Sequence, residues 1–497
     1  MISLDMEVSG DSVARLIDLF VGHLDLGALG FTKTKAKKEG CPMFQASDLL
    51  KLYYYGYFNR IRSSRRLAAE CCRNVELWWL LNQLKPGYHT IADFRKDNPV
   101  ALKNSFKMFV SFLKGEELLG GELVAIDGSK IRAQNNKSNN YNEAKLKKHL
   151  EYIEAKSESY IQELERCDAV EDKEAAELSK KQIVEKLKTL GDRKTKYEGL
   201  QTRLQQSTEK QISTVDADSR SLPIKDRITD VCYNIQATND SKHSIVVDFD
   251  TINKGDQGQL KVMSEKAKEI LEVEELTVLA DKGYHVGKDL QAAKENNITT
   301  VVAYPQPRDR SDKIDPAYYT DKFVFDCQRD TYTCPAGWEL TTNGMEYVKG
   351  KKDRTSYRVK TYTTAACSTC PFKKSCTTSK YRKIDRSEYQ EIIDENNKRV
   401  DENRDLYKKR PLISEHVFGT FKRSWGYTYT LVKSLEKVNG EMAIIFTMYN
   451  LRRAMSILGV DELKRRLVAC KSANKNQKTG ILKSLRLYGL VDKVMVA

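Results

Sequence analysis

The sequence predicts a mixed α/β fold, a sheet flanked by helices, carrying a helical domain at the N-terminus, a helical-hairpin insertion and a small Cys-rich β insertion. Three observations lead there. Strand-like segments at 122–127, 231–237 and 243–249 can meander, and an alternation of helix and strand follows at 257–271, 276–281, 287–296 and 299–303. Two apolar runs each end in an acid: Leu123-Val124-Ala125-Ile126 before Asp127, and Leu276-Thr277-Val278-Leu279-Ala280 before Asp281. The chain on either side of this region reads as helical. With 497 residues it is long enough for roughly two to four domains.

Residues 1–115 form the helical domain. Ser47 and Asp48 are expected to cap a helix running through Tyr55, and Ser64–Arg73 and Val75–Asn82 give two more. Lys85-Pro86-Gly87 then breaks the pattern before Thr90 caps another. Arg60, Arg62, Arg65, Arg66 and Arg73 give this domain a basic surface with aromatic neighbours, read either as a DNA contact or as a solvated helical face. Residues 122–127 make a short strand, after which Gly128-Ser129-Lys130 is expected to turn the chain out of the sheet.

From 141 to 210 the pattern changes. Leu146, Leu150, Ile153, Tyr160, Leu164 and Cys167, then Ile183, Leu187, Leu190, Tyr197 and Leu204, mark the seam of a two-helix antiparallel hairpin. Its turn falls in the polar stretch from Asp168 to Glu174. The hairpin is an insertion in the domain that Asp127 begins, and no chemistry is visible in it. After Pro223 the strands 231–237 and 243–249 flank a hairpin loop at Asn239-Asp240-Ser241. Residues 305–385, rich in Tyr, Thr, Lys and Cys, break the helix–strand rhythm as the β insertion. The central domain, 120–304, resumes over 386–460 with a long apolar helix from Gly440 to Leu458. Residues 461–497 form a basic tail containing Lys464, Arg465, Arg466, Lys471, Lys475, Lys478 and Lys483.

Lys and Arg number 84 against 69 Asp and Glu, a formal charge of 84 − 69 = +15. That excess favours a polyanionic partner, which on charge alone is DNA, RNA or an anionic membrane surface. No apolar stretch reaches the ~20 residues that span a bilayer. The segment Met1–Gly10 carries acids and lacks a signal-peptide core. The expectation is a cytoplasmic protein with no membrane partner. The sequence contains no phosphate-cradling P-loop, no His-Glu-x-x-His and no Ser nucleophile elbow, so neither ATP nor those hydrolytic chemistries are implied.

Asp127 and Asp281 read as carboxylates at the carboxyl ends of buried strands, and Glu415 as a carboxylate on a helix. Brought together, they make an oxygen-rich cage for two Mg²⁺ (or Mn²⁺) ions, able to clamp the attacking and leaving oxygens of a phosphoryl transfer. Rival acids exist. Asp216, Asp218, Asp248 and Asp250 lie in the core region, with Asp248 and Asp250 on one strand face open to solvent. Glu388, Glu391, Glu395 and Glu402 lie on a charge-dense helix that reads as a solvated face. His416 and Tyr284, beside the motifs, read as core or supporting residues.

In order along the chain, Ala-Ile-Asp127-Gly-Ser-Lys-Ile-Arg-Ala, Leu-Ala-Asp281-Lys-Gly-Tyr284 and Glu415-His-Val-Phe418-Gly419-x-Phe421-Lys422 resemble the DDE transposases of bacterial insertion sequences. Tyr407-x-x-Arg410, then Glu415, then Lys422 is similar to the group carrying a Tyr-Arg-Glu-Lys signature, with one residue more between Arg410 and Glu415 than its shortest form. Asp48-Leu-Leu-Lys-Leu-Tyr and Ser63-Ser-Arg-Arg-Leu resemble the helical domain that precedes such cores. The resemblance implies an RNase-H-like core with Asp127, Asp281 and Glu415 as catalytic metal ligands. It implies DNA cleavage at the element's terminal inverted repeats, strand transfer into target DNA, and a homodimer that pairs two ends. The DNA-bound protein would then be nucleoid-associated. Glu415 and Lys422 are seven residues apart and are expected on one helical face, with Lys422, Arg410 and Tyr407 toward DNA phosphate. The alternatives are a metal-dependent nuclease without strand transfer and a transposase-derived DNA-binding protein that no longer cuts.

Eleven cysteines are present. Six are scattered singly or as the pair Cys71-Cys72 and read as buried thiols; five cluster between Cys327 and Cys376. Of these, Cys334, Cys367, Cys370 and Cys376 suit a four-thiolate Zn²⁺ site. Free or redox-active thiols and an iron–sulfur centre are the alternatives.

Overall fold

The computed structural model describes residues 3–32, 44–167, 173–225, 228–305, 314–350 and 356–476. Helices α1 (Leu4–Glu7), α2 (Val13–Val21), α3 (Ala46–Phe58), α4 (Ser64–Glu70), α5 (Val75–Leu80), α6 (Tyr88–Asp97) and α7 (Pro99–Gly115) open the chain. Side chains start several of them: Ser12 accepts from Ala14 N, Ser63 from Arg66 N and Asn74 from Leu77 N. Two expected caps are displaced. Helix α3 starts after Gln45 rather than at Ser47-Asp48, and α6 after Gly87 rather than at Thr90, each without a side-chain cap bond. Packing sets these two starts, since Ala46 in the first turn of α3 and Ile91 and Phe94 of α6 are buried.

Strand β1 runs Leu123–Arg132, ten residues rather than six. It does not leave the sheet at Gly128-Ser129-Lys130. Residues 124–132 pair antiparallel with 240–232, opposite a partner strand long enough to hold them. The glycine is there for close approach rather than for a turn: a Cβ at Gly128 would lie 2.4 Å from both Asp256 Oδ1 and Gln236 Nε2.

The hairpin follows, with β2 (Asn140–Tyr141), α8 (Glu143–Cys167), α9 (Lys173–Gln206) and β3 (Ile212–Ser213). Its seam is as expected, with Leu146, Ile153, Ile183 and Leu190 buried. Of the expected turn, residues 168–172 lie outside the described residues, as do Lys478 and Lys483 of the tail.

Next come β4 (Arg220–Lys225), β5 (Ile228–Asp240), β6 (Val246–Ile252), α10 (Leu260–Leu271), β7 (Leu276–Ala280), α11 (Gly287–Glu295) and β8 (Ile298–Val302). The sheet order is β4–β5–β1–β7–β8, with β6 also on β5. β5 is antiparallel to β1, β4 and β6, whereas β1, β7 and β8 run parallel. A separate antiparallel sheet holds β9 (Val324–Asp326), β10 (Thr331–Thr333), β11 (Glu339–Lys349), β12 (Tyr357–Thr363) and β13 (Ile384–Ser387), with α12 (Lys373–Cys376) between the last two strands. The chain ends in α13 (Gln390–Glu402), α14 (Arg404–Tyr407), α15 (Arg410–Gly419), α16 (Leu435–Leu458) and α17 (Val460–Asn476), with a π turn at Thr420–Ser424 after α15.

The largest apolar core joins α2, α3 and α7 to α16, β5 and β6. Phe106, Phe249 and Phe446 meet there with ring centroids 4.8–4.9 Å apart. Helices α7 and α16 approach so closely that a Cβ at Gly440 would lie 2.7 Å from Pro99 Cα. A second core lies between α10, α11 and the strands β1, β7 and β8. Among the described residues no helix is long and apolar enough to cross a membrane.

Candidate active site

The sheet register brings the two aspartates together. Ile126 and Ala280 are paired neighbours on the parallel strands β1 and β7, and Asp127 and Asp281 are the next residues of each. Adjacent strands stand about 4.8 Å apart. Asp281 leaves its strand to cap a 3₁₀ turn over Lys282–Tyr284, its carboxylate accepting from Lys282 N at 2.7 Å. Asp127 stays within β1, and Gly128 N donates to its Oδ1 at 2.8 Å.

Helix α15 supplies the other face. Ser414 Oγ donates to Asp127 Oδ2 at 3.2 Å, and Arg410 Nη1 stands 3.4 Å from the same oxygen. The other terminal nitrogen of Arg410 is 3.9 Å from Glu415 Oε1, so one guanidinium bridges two of the three acids. Tyr407 of α14 lies beside it, with the Arg410 guanidinium carbon 6.0 Å from its ring centroid. Burial raises the Asp127 pKa and the nearby Asp281 charge adds to that, while Arg410 pulls the other way. Glu415 points outward, its side chain 66% exposed.

Lys422 is placed differently from the expectation. The π turn widens the helix after Gly419, so Lys422 does not continue the exposed face of Glu415. Instead its Nζ reaches β1, donating to Ser129 Oγ at 2.6 Å and Lys130 O at 2.5 Å. Ser129 is two residues from Asp127, on the same face of the strand. Lys422 therefore reaches the strand that carries Asp127 by another route, and burial pulls its pKa down to about 8.

The opposite face of β1 carries a network with no sequence signal. Asp256 accepts from Lys130 Nζ (3.0 Å), Asn234 Nδ2 (2.8 Å) and Gln236 Nε2 (2.8 Å). Tyr284, buried just after Asp281, donates to Gln236 Oε1. Burial would raise the Asp256 pKa, but the bonds from Asn234 and Lys130 outweigh it and hold the carboxyl below its ordinary value. Lys130 and Tyr284 belong to the two aspartate motifs; Asp256 sits outside any periodic pattern, and only the fold reveals it. His416 hydrogen-bonds the Tyr449 hydroxyl through Nδ1 at 2.8 Å, a supporting position.

Seven of the eight rival acids have structural partners. Asp216 accepts from the Tyr233 hydroxyl and Ser434 N, and Asp218 from Leu435 N at the start of α16. Asp248 is not on a solvent face: it is buried and paired with Lys103 at 2.8 Å, because α7 packs over β6. Asp250 pairs with Lys266. Glu395 pairs with Lys294 and Arg399, Glu402 with Lys398, and Glu388 accepts from Arg358 N.

Carboxylate oxygens are the hard donors that Mg²⁺ takes, and the Arg410 guanidinium stands where the site calls for positive charge. Among the described residues no three His, Cys, Asp or Glu side chains are already gathered as an ion's ligands.

Of the N-terminal arginines, Arg62 is withdrawn from the surface, buried 3.5 Å from Glu441 with its guanidinium over Tyr427. Arg60, Arg65, Arg66 and Arg73 are exposed, and Arg73 pairs with Glu70.

Two family models match the chain. One, described as a transposase domain (DUF772), covers residues 3–97; the other, described as a transposase DDE domain, covers residues 333–455. The first spans α1 to α6. The second includes Tyr407, Arg410, Glu415, Lys422 and the four cysteines Cys334, Cys367, Cys370 and Cys376, whereas Asp127 and Asp281 lie outside both matches. No curated protein and no solved structure matches.

Proposed function

The chain is a DDE transposase of an insertion-sequence type, and from that premise we propose that it cuts DNA at the ends of its element and joins them to target DNA, with Asp127, Asp281 and Glu415 as the catalytic carboxylates. The observation that carries this reading is the convergence of Asp127 and Asp281 on adjacent parallel strands, with Arg410 linking Asp127 to Glu415. The strand order β6–β5–β1–β7–β8, three antiparallel strands followed by two parallel ones, supports an RNase-H-like core.

The three acids would hold two Mg²⁺ or Mn²⁺ ions, which when bound supply Lewis acidity to the scissile phosphate and to the attacking water or 3′-hydroxyl. The chain's own residues do the positioning. Ser414 and Gly128 N fix the two oxygens of Asp127. Arg410, held between Asp127 and Glu415, is a two-pronged donor suited to a phosphate. Lys422 spends two of its three donors on β1 and sets its charge on the strand that carries Asp127. The N-terminal helices and the basic tail would bind the element's terminal repeats, and pairing of two element ends calls for a homodimer.

The test is cleavage and joining by the full chain with Mg²⁺ or Mn²⁺, an end-containing duplex and a target plasmid. Asp127→Asn, Asp281→Asn and Glu415→Gln should each lower cleavage by at least ~10³-fold, of the order expected for loss of a group acting in the transition state. End binding should persist. Near-normal cleavage by Glu415→Gln would remove that residue from the site, and cleavage without joined plasmid would reduce the activity to that of a nuclease.

A further inference from the structure

The five-stranded sheet β9–β13 is poorly provided with apolar core. Phe323, Tyr332, Leu340, Tyr362 and Ile384 are its buried cluster, with Cys334 and Cys376 packed at the edge. So small a core ordinarily needs a cross-link or a metal to hold one conformation.

The cysteines are where such a staple would act. Cys334 follows β10 in a tight knuckle. Gly337 N donates to Cys334 O at 2.8 Å, Cys334 N donates to Trp338 O at 2.9 Å, and Trp338 N points at Cys334 Sγ at 3.3 Å. The last contact aims a backbone N–H at the sulfur and holds it in place. Cys367 lies in the 3₁₀ turn Ala365–Ser368, Cys370 three residues on, and Cys376 ends α12. These come from two separate stretches of chain, one after β10 and one after β12. All four line a single cavity of about 20 Å³, with Lys373 and Arg382 also on its wall. Cys327, the fifth cysteine of the cluster, is exposed and lines no part of it.

We propose that Cys334, Cys367, Cys370 and Cys376 bind one structural Zn²⁺ ion, stapling the knuckle after β10 to the turns between β12 and β13. Four sulfur donors are the set a closed structural zinc site uses, at about 2.3 Å from the metal. The cavity has room for one ion or one water. The side chains stand on its wall rather than already drawn to a common centre; binding closes them inward and releases the thiol protons to solvent. Four thiolates on a dication leave a charge of about −2, which Lys373 and Arg382 face. The proposal does not depend on the catalytic assignment, since none of these residues touches the carboxylate site.

The experiment is metal analysis of the full chain purified without chelator, followed by exchange with Co²⁺. Wild type should carry about one Zn²⁺ per chain. Its Co²⁺ form should show the intense visible bands of a tetrahedral site and the near-ultraviolet charge-transfer bands of sulfur ligation. Cys367→Ser/Cys370→Ser should lose the metal and open 314–387 to protease, while Cys327→Ser keeps both metal and protection. If the double variant fails to fold, the wild-type Co²⁺ spectrum still decides. Absence of zinc, iron in its place, a disulfide among the four cysteines, or equal metal loss in Cys327→Ser would each overturn the proposal.

Discussion

Lys422 sits in a conflict that its chemistry makes measurable. Its ammonium is pulled off solvent by the π turn and set against Ser129 and the Lys130 carbonyl, and burial drops its pKa to about 8. Below that pH the side chain is charged and can hold a phosphate; above it the charge goes, well before an ordinary lysine near ~10.4 would lose it. DNA affinity should therefore fall as pH rises through about 8, by roughly tenfold if one charged hydrogen bond is lost. Lys422→Arg should remain flat over the same range. Stability moves the opposite way. The folded pKa lies below the unfolded one, so between these two values the unfolded chain binds more protons and the lysine's contribution to the fold improves with rising pH. Filter binding and denaturant unfolding of wild type and Lys422→Met, from pH 7 to 10, should show the two opposed trends in wild type only. A pH-independent difference between the proteins would refute the assignment. The adjacency of Asp127 and Asp281 was legible because each follows an apolar strand run. The orientation of Lys422 was not, because heptad counting assumes an unbroken α-helix and the π turn forms where Phe421 buries itself in the core.

Between elements, the buried charge at Glu441 governs how the N-terminal helices meet the rest. Its side chain is 1% exposed, accepts from the Tyr57 hydroxyl at 2.9 Å and Leu431 N at 2.8 Å, and lies 3.5 and 3.8 Å from Arg62 and Arg95. One carboxylate of α16 thus ties together α3, α6 and the segment between α3 and α4. Removing it leaves two guanidiniums buried without their counter-ion, so Glu441→Ala should cost about 3–5 kcal/mol, seen as a lower unfolding midpoint. Glu441→Gln keeps the shape and loses the charge, and should also be destabilising. A loss under ~1 kcal/mol for both variants would mean that water already screens the cluster. Sequence patterning gave away the hairpin, whose seam repeats over many turns, and the alternation from β6 to β8. It misjudged β1 because a glycine in an isolated sequence reads as a breaker. Here the missing Cβ makes room for Asp256 and Gln236, residues more than a hundred positions away in the chain.

Across the whole molecule, the +15 charge is a statement about partners, and the fold sorts which cations are available to carry it. Arg62, equivalent in sequence to its neighbours, is spent inside the core on Glu441 and the Tyr429 carbonyl, and Arg73 is engaged by Glu70. Arg65 and Arg66 remain exposed on α4, Arg65 lying over Tyr88 at 5.2 Å. Because α3 and α7 share one core with α16, this surface is best tested in the full chain rather than in a fragment of residues 1–115. Each phosphate contact adds about 0.9 to the slope of log affinity against log salt. If both arginines reach phosphates, Arg65→Ala/Arg66→Ala should reduce that slope by about one to two units and weaken binding without changing the unfolding midpoint. Arg62→Ala should do the reverse, lowering stability first. The same pair of proteins, competed between element-end and random duplexes at moderate salt, separates positioning from readout. A uniform loss on both duplexes makes the two arginines backbone contacts, whereas a loss confined to the end duplex puts base recognition on α4. An unchanged slope in the double variant would move the DNA footprint away from the N-terminal helices, toward the hairpin of α8 and α9 or the basic chain beyond Asp461.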